Sequence, residues 1–194
     1  MQPRFPRLAA TALAALLWAC AQAAPVTYKV DPDHTFPSFE ADHLGISVWR
    51  GKMNKNSGTV VYDKATGTGT VDITVDLASI DFGQAQLNTW ARGADFFDVA
   101  KHPQARFQGR FDAVVKGVPT LLVGELAMRG VSRPLTLTVN ALKCLPHPML
   151  KRELCGADAG GVFQRDAYGL DAGKAFGFNM DVALRIQAEA LAEP

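Results

Sequence analysis

The sequence predicts an all-β, antiparallel domain with one short helix. Three observations carry that expectation. Apolar and polar residues alternate with period two over several long stretches, turn-forming residues separate those stretches, and a single segment shows helical spacing.

The alternation is clearest at four places. Val71, Ile73, Val75 and Leu77 alternate with Thr70, Asp72, Thr74 and Asp76. Phe107, Gly109, Phe111 and Ala113 alternate with Arg106, Gln108, Arg110 and Asp112. Leu135, Leu137 and Val139 alternate with Thr136, Thr138 and Asn140, and Val182, Leu184, Ile186 and Ala188 with Asp181, Arg185, Gln187 and Glu189. Such strands bury one face and wet the other. Strands are predicted over residues 26–30, 35–43, 48–62, 68–79, 105–116, 120–129, 133–144 and 176–190, with a short further piece at 161–167. Turns at Asp63–Gly67, Lys116–Pro119 and Arg129–Gly130 are short, which makes the neighbouring strands antiparallel. Gln84–Gly93 carries Leu87, Trp90 and Ala91 at helical spacing, with Gly93 placed to end the helix. Eight amphipathic strands hide their apolar faces either in a sandwich or in a closed barrel, and the pattern leaves both open.

The N-terminus predicts export. Arg4 and Arg7 precede an apolar run, Leu8–Ala19, too short to span a bilayer, and Ala21-Gln22-Ala23 supplies a small-x-small cleavage site. Residues 1–24 read as a secretory signal peptide and residues 25–194 as one domain. Leu17-Trp18-Ala19-Cys20 approaches a lipoprotein processing box, so lipid anchoring through Cys20 is the minor alternative. Removing Arg4 and Arg7 leaves 18 basic against 19 acidic residues, a balance that offers no basic stripe for nucleic acid. No later apolar run is long enough for a transmembrane helix. Cys144 and Cys155 form an even, closely spaced pair in an oxidising compartment, which predicts a disulfide. A zinc site there would have only His147 as a third ligand.

Catalytic motifs are scarce. The chain has no H-E-x-x-H, C-x-x-C or G-x-S-x-G, and Gly67-Thr68-Gly69 joins two strands rather than opening a helix. His34, His43, His102 and His147 are scattered without a metal-ligand spacing, so no metal and no cofactor are expected. Asp95 and Asp98 read as turn and cap residues around Phe96 and Phe97. The aromatic load serves either an ordinary packed core or an apolar cavity lined by rings.

The order of several segments resembles the YceI-like family of bacterial periplasmic proteins. Asp31-Pro32-Asp33-His34-Thr35-Phe36 is followed by His43-Leu44-Gly45 and Trp49-Arg50-Gly51. Then come Ala94-Asp95-Phe96-Phe97-Asp98 through Pro103, Leu126-Ala127-Met128-Arg129-Gly130-Val131-Ser132-Arg133-Pro134, and Gln164-Arg165-Asp166-Ala167-Tyr168-Gly169-Leu170. The resemblance implies an antiparallel eight-stranded lipocalin-like β-barrel whose tunnel holds a polyisoprenoid or other long-chain lipid, an isoprenoid quinone precursor among them. It also implies a periplasmic binding protein rather than an enzyme. Phe36, Trp90, Phe97, Phe107, Phe111, Leu126, Met128 and Phe178 are the expected ligand contacts. The helix departs from the family pattern, reading Leu87-Asn88-Thr89-Trp90-Ala91 where an Arg-Asp pair and His-Leu are usual, and Cys144–Cys155 looks like a disulfide-clipped loop. Two other readings stay open: an envelope enzyme using Asp95, His34 or His102 on a lipid-like substrate, and a stress-protective structural protein. Self-association as a homodimer is also open.

Overall fold

The structure, a computed structural model, describes residues 24–194. The signal-peptide segment and Cys20 therefore lie outside the described residues, apart from Ala24. The strands are β1 (Val26–Val30), β2 (Phe36–His43), β3 (Ser47–Met53), β4 (Asn56–Asp63), β5 (Thr68–Asp76), β6 (Ile80–Asp81), β7 (Gln104–Val115), β8 (Val118–Met128), β9 (Val131–Pro146), β10 (Glu153–Gln164) and β11 (Asp181–Ala192). One helix, α1 (Ala85–Arg92), lies between β6 and β7.

All neighbours are antiparallel, in the order β1-β4-β5-β7-β8-β9-β10-β11, and β1 pairs back onto β11 to close an eight-stranded barrel. Strands β2, β3 and β6 extend this ring at one end, in the order β11-β2-β3-β6. Three chain segments thus run through both tiers with a break at mid-height. β1 gives way to β2 at the 31–35 turn, where the Thr35 hydroxyl donates to the Glu189 carbonyl at 3.1 Å and accepts from the Glu189 amide at 3.0 Å. β3 gives way to β4 at Asn54-Lys55, whose amides donate to the carbonyl and hydroxyl of Ser79. β5 gives way to β6 through a 3₁₀ turn over Leu77–Ser79, capped by the Asp76 carboxylate accepting from the Ala78 amide. Backbone groups freed by each break are thus paired elsewhere, as buried polar groups require.

The predicted eight-stranded barrel and its single helix are both present. The runs are composed differently, however. The run predicted as one strand over 48–62 is two, β3 and β4, parted at Asn54-Lys55, the run over 68–79 stops at Asp76, and β10 occupies residues that the alternation left almost unassigned. Its sequence, Glu-Leu-Cys-Gly-Ala-Asp-Ala-Gly-Gly-Val-Phe-Gln, is filled with Gly and Ala, so its inward face carries no period-two signal of large side chains. Residues 174–176 form a 3₁₀ turn, and the last strand starts only at Asp181. Helix α1 begins at Gln84, whose side chain accepts from the Leu87 amide, and ends at Gly93, whose amide donates to the Trp90 carbonyl. It packs beside β6, with the Arg92 guanidinium donating to the Ile80 carbonyl at 3.2 Å and the Asn88 amide to Asp81 at 3.0 Å.

Cys144 and Cys155 are joined as a disulfide. The bridge is not a clip on a loop beyond the strands. The two residues face each other in the β9–β10 ladder, one step inside the Leu145–Leu154 pair. The alternation marks no strand between residues 144 and 161, whereas β9 runs on to Pro146 and β10 starts at Glu153, so the link is a ladder pair rather than a loop closure. The enclosed loop is short and its flanks are already paired. Replacing both residues by Ala should therefore lower the unfolding free energy by at most about 3 kcal/mol, measured by urea titration. A larger loss would mean that the bridge holds the barrel itself rather than one hairpin.

An apolar tunnel with one open end

The barrel interior is a continuous apolar cavity of about 350 Å³, within the size range of small-molecule sites. Its walls come from the inward face of every strand. Val71 and Ile73 stand on β5, Leu122 and Leu126 on β8, Leu135 and Leu137 on β9. The two ends differ. At the floor, Tyr28 is 1% exposed and Tyr62 4%, and both pack in one cluster with Cys144 and Cys155 of the β9–β10 hairpin. At the α1 end, Trp49 and Trp90 also line the cavity yet remain 39% and 42% exposed. The opening therefore lies beside α1.

The mouth is framed by stacked aromatic rings. His43 stacks on Trp49 at 4.3 Å between centroids and meets the Phe178 ring edge-on at 5.0 Å. Trp90 leans on Phe96 at 4.8 Å, and Phe96 packs edge-on to Phe97 at 4.9 Å. At the floor, the Phe111 ring meets Tyr62 at 5.3 Å. Offset and edge-on ring pairs of this kind fix the wall without polar contacts.

Seven of the eight residues named from sequence come together here. Trp90, Phe97, Phe107, Phe111, Leu126, Met128 and Phe178 all line the cavity. Phe36 does not. It stands on the outer face of β2 with the Lys52 ammonium 4.8 Å from its ring centroid. The inward residues of β2 are Pro37, Phe39, Ala41 and His43. Ser38, Glu40 and Asp42 mark the wet face in the sequence, and Phe36 shares their parity, so the alternation itself contained the correction. Phe39, Phe82 and Trp49 line the mouth and were not among the expected contacts.

Polar side chains on the wall are few and largely committed. Thr35 is bound to the Glu189 backbone. Arg165, 8% exposed, donates to the Leu170 carbonyl at 2.5 Å and to the Ala172 carbonyl at 2.8 Å, which folds the 165–172 turn over the barrel end. Burial pulls the Arg165 pKa down. Beneath the floor, the Tyr28 hydroxyl donates to Glu153 at 2.5 Å and the Lys64 ammonium donates to the same carboxylate at 2.5 Å. Burial, then the bond to Glu153, raises the Tyr28 pKa. Burial works to raise Glu153, but the bonds from Lys64 and Tyr28 outweigh it and hold the carboxyl below its ordinary value.

The candidate acid–base residues do not converge. Asp95, His34 and His102 are absent from the cavity wall. His34 pairs with Asp31 at 2.8 Å on the exposed 31–35 turn, and Asp98 pairs with Lys101 at 2.8 Å. His147 sits at the β9–β10 tip, where its ring nitrogen accepts from the Met149 and Leu150 amides. Among the described residues, one cluster has metal-ligand spacing, Cys144, Glu153 and Cys155, and there both sulfurs are joined to each other. Among the described residues no helix is long and apolar enough to cross a membrane.

Residues 28–190 match the family model of the YceI-like domain. The chain belongs to the YceI-like family. A YceI protein from Escherichia coli O157:H7 is 33% identical over 133 residues, which cover 66% of this chain and 69% of that protein. Solved structures share the fold at lower identity. Burkholderia cenocepacia BcnA superposes with a TM-score of 0.65 at 22% identity, covering 83% of this YceI-like chain and 99% of that one. A polyisoprenoid binding domain from Saccharophagus degradans, implicated in plant cell wall breakdown, superposes with a TM-score of 0.63 at 17% identity, covering 87% and 99%. The Campylobacter jejuni YCEI protein gives 0.64 at 21% identity, covering 79% and 90%.

Proposed function

We propose that this protein sequesters or carries a polyisoprenoid or other long-chain lipid, an isoprenoid quinone precursor among the candidates, and does so without chemistry on its cargo. The observation that carries this reading is the blind, ring-walled apolar cavity opening at one end only. A structural relative described as a polyisoprenoid binding domain supports the same class of ligand. An apolar tail gains by leaving water for such a wall. Burial of a ten-carbon stretch releases roughly 8 kcal/mol gross, at about 0.8 kcal/mol per methylene. Ordering the chain offsets much of that, so affinity rests on length more than on any polar contact.

The site of action proposed is the periplasm. The charge–apolar–small order of residues 4–23 and the disulfide both support export, with anchoring through Cys20 as the minor alternative. Organic extraction and mass spectrometry of protein purified from its native host should release a stoichiometric long-chain lipid. Delipidated protein should then take up a polyprenyl or fatty-acid probe saturably. A parent protein that retains no lipid and takes up no chain of any length would refute the proposal.

A further inference from the structure

We propose that the rim of the cavity mouth docks on the surface of a lipid bilayer, placing the open end of the tunnel against the membrane. This rests on the reading of the cavity as a lipid site. It begins with three segments that surround the opening. The β2–β3 turn presents Leu44 at 44% exposure and Ile46 at 80%, the turn before β11 presents Phe176 at 81%, and α1 presents Trp90. His43 and Trp49 on the first segment touch Phe178 and Phe82 on the others, which brings the three together around one mouth.

Their charge content sets them apart. Residues 43–49, 82–91 and 172–180 contain a single Lys, Arg, Asp or Glu between them, Lys174. That ammonium is held by Asp166 at 2.6 Å. The turns at the opposite end carry Lys64, Lys116, Lys151 and Arg152. Asp42, at the base of the β2–β3 turn, also reaches the cavity wall, and its carboxylate accepts from the Gly45 amide at 3.0 Å. A ring of protruding apolar tips with so few charges is costly to leave in water and has little with which to recognise a charged partner.

The shape of the rim favours a bilayer over a protein surface. The tips stand on separate segments around a hole, so they form no continuous face. A fluid lipid surface admits each tip on its own, whereas a rigid partner would have to match all of them. Trp49 and Trp90 are half buried at the boundary, the place where amphipathic rings sit at a membrane interface. An apolar chain could then pass between bilayer and tunnel without crossing water.

Co-sedimentation with phosphatidylcholine vesicles tests the proposal. The protein should bind, and binding should persist at high salt because no charge pairing is involved. Ile46→Asp and Phe176→Asp should each weaken it at least about tenfold, since each withdraws one large apolar side chain from the interface. Met149→Asp, at an equally exposed position on the opposite end, should bind as the parent does. All three positions are exposed, so melting curves should stay unchanged. Uptake of a soluble fatty-acid probe, measured without vesicles, should be retained by the rim variants. Failure of the parent to take up the probe would count against the cavity reading alone. Docking is overturned if the parent ignores the vesicles, if the rim variants bind as well as the parent, or if binding needs anionic lipid and vanishes with salt. It is also overturned if the rim variants abolish a dimer in solution, which would assign the rim to a second copy of the chain.

Discussion

Phe111→Asp should abolish uptake of a long-chain probe. Phe111 lies on the inner face of β7, opposite Leu122 in the ladder, and its ring packs on Tyr62 near the blind floor. A carboxylate there enters a wall with no cationic partner on it beside Phe111, and an unpaired buried charge costs several kcal/mol, or about a hundredfold or more in affinity. Circular dichroism and a melting curve must show that the variant is folded. Phe111→Trp supplies the sharper comparison, because it keeps the wall apolar while filling the floor. Binding of long chains should weaken more than binding of short ones. Folded variants that bind every chain length as the parent does would remove Phe111 from the site.

Gly124→Val should destabilise the barrel by about 3 kcal/mol or more, because overpacking at a strand crossing forces the backbone to move. Gly124 and Gly109 face each other across β8 and β7. A Cβ on Gly124 would press into the Gln108 carbonyl oxygen and come within 2.6 Å of the Gly109 Cα. On Gly109 the missing side chain leaves space that the Phe107 ring occupies. The glycine pair thus lets two strands approach closely and lets an aromatic ring lie flat along the wall. Gly156→Ala on β10 is the control, since nothing lies nearer than 3.8 Å to its added Cβ. Urea midpoints for the two variants should differ widely. Equal midpoints would show that close approach at Gly124 is not what makes the position glycine.

Much of this architecture was legible where the wet face announced itself. Arg106, Gln108, Arg110 and Asp112 left Phe107 and Phe111 only one way to point, and the structure pairs Arg106 with Asp72 across the outer ladder at 2.5 Å. Leu126 and Met128 sit on a strand that is apolar on both faces, and pairing with β7 fixes their inward direction. Phe36 points outward because it shares the parity of Ser38, Glu40 and Asp42, which its aromatic character does not override. β10 escapes the alternation for a reason of its own. Between Cys155 and Phe163 its inward positions are Ala157, Ala159 and Gly161, which contribute room rather than bulk, and the bulk lining that stretch of tunnel comes from Leu137, Leu142 and Leu184 on its neighbours. The break between β1 and β2 is legible in the Asp31-Pro32-Asp33 turn residues, but those at 54–55 and 77–79 fall inside runs that read as single strands, because they depend on partners far away in sequence, such as Asn54 and Lys55 with Ser79.

The two tiers of the barrel answer differently to an occupant. The lower tier is a hoop: every strand has two neighbours, and widening it would break a full ladder somewhere around the circumference. The upper tier is a split collar. Its free edge is β6, joined to β3 by only two residue pairs, Lys52–Asp81 and Met53–Ile80, and backed by α1. Girth can therefore change at the mouth at the expense of a few contacts, while the floor stays fixed. For the lipid cargo proposed above, a thick or branched chain would be accommodated at entry and its reach measured against Tyr28, Tyr62 and Phe111, which would make the same tunnel forgiving about width and strict about length.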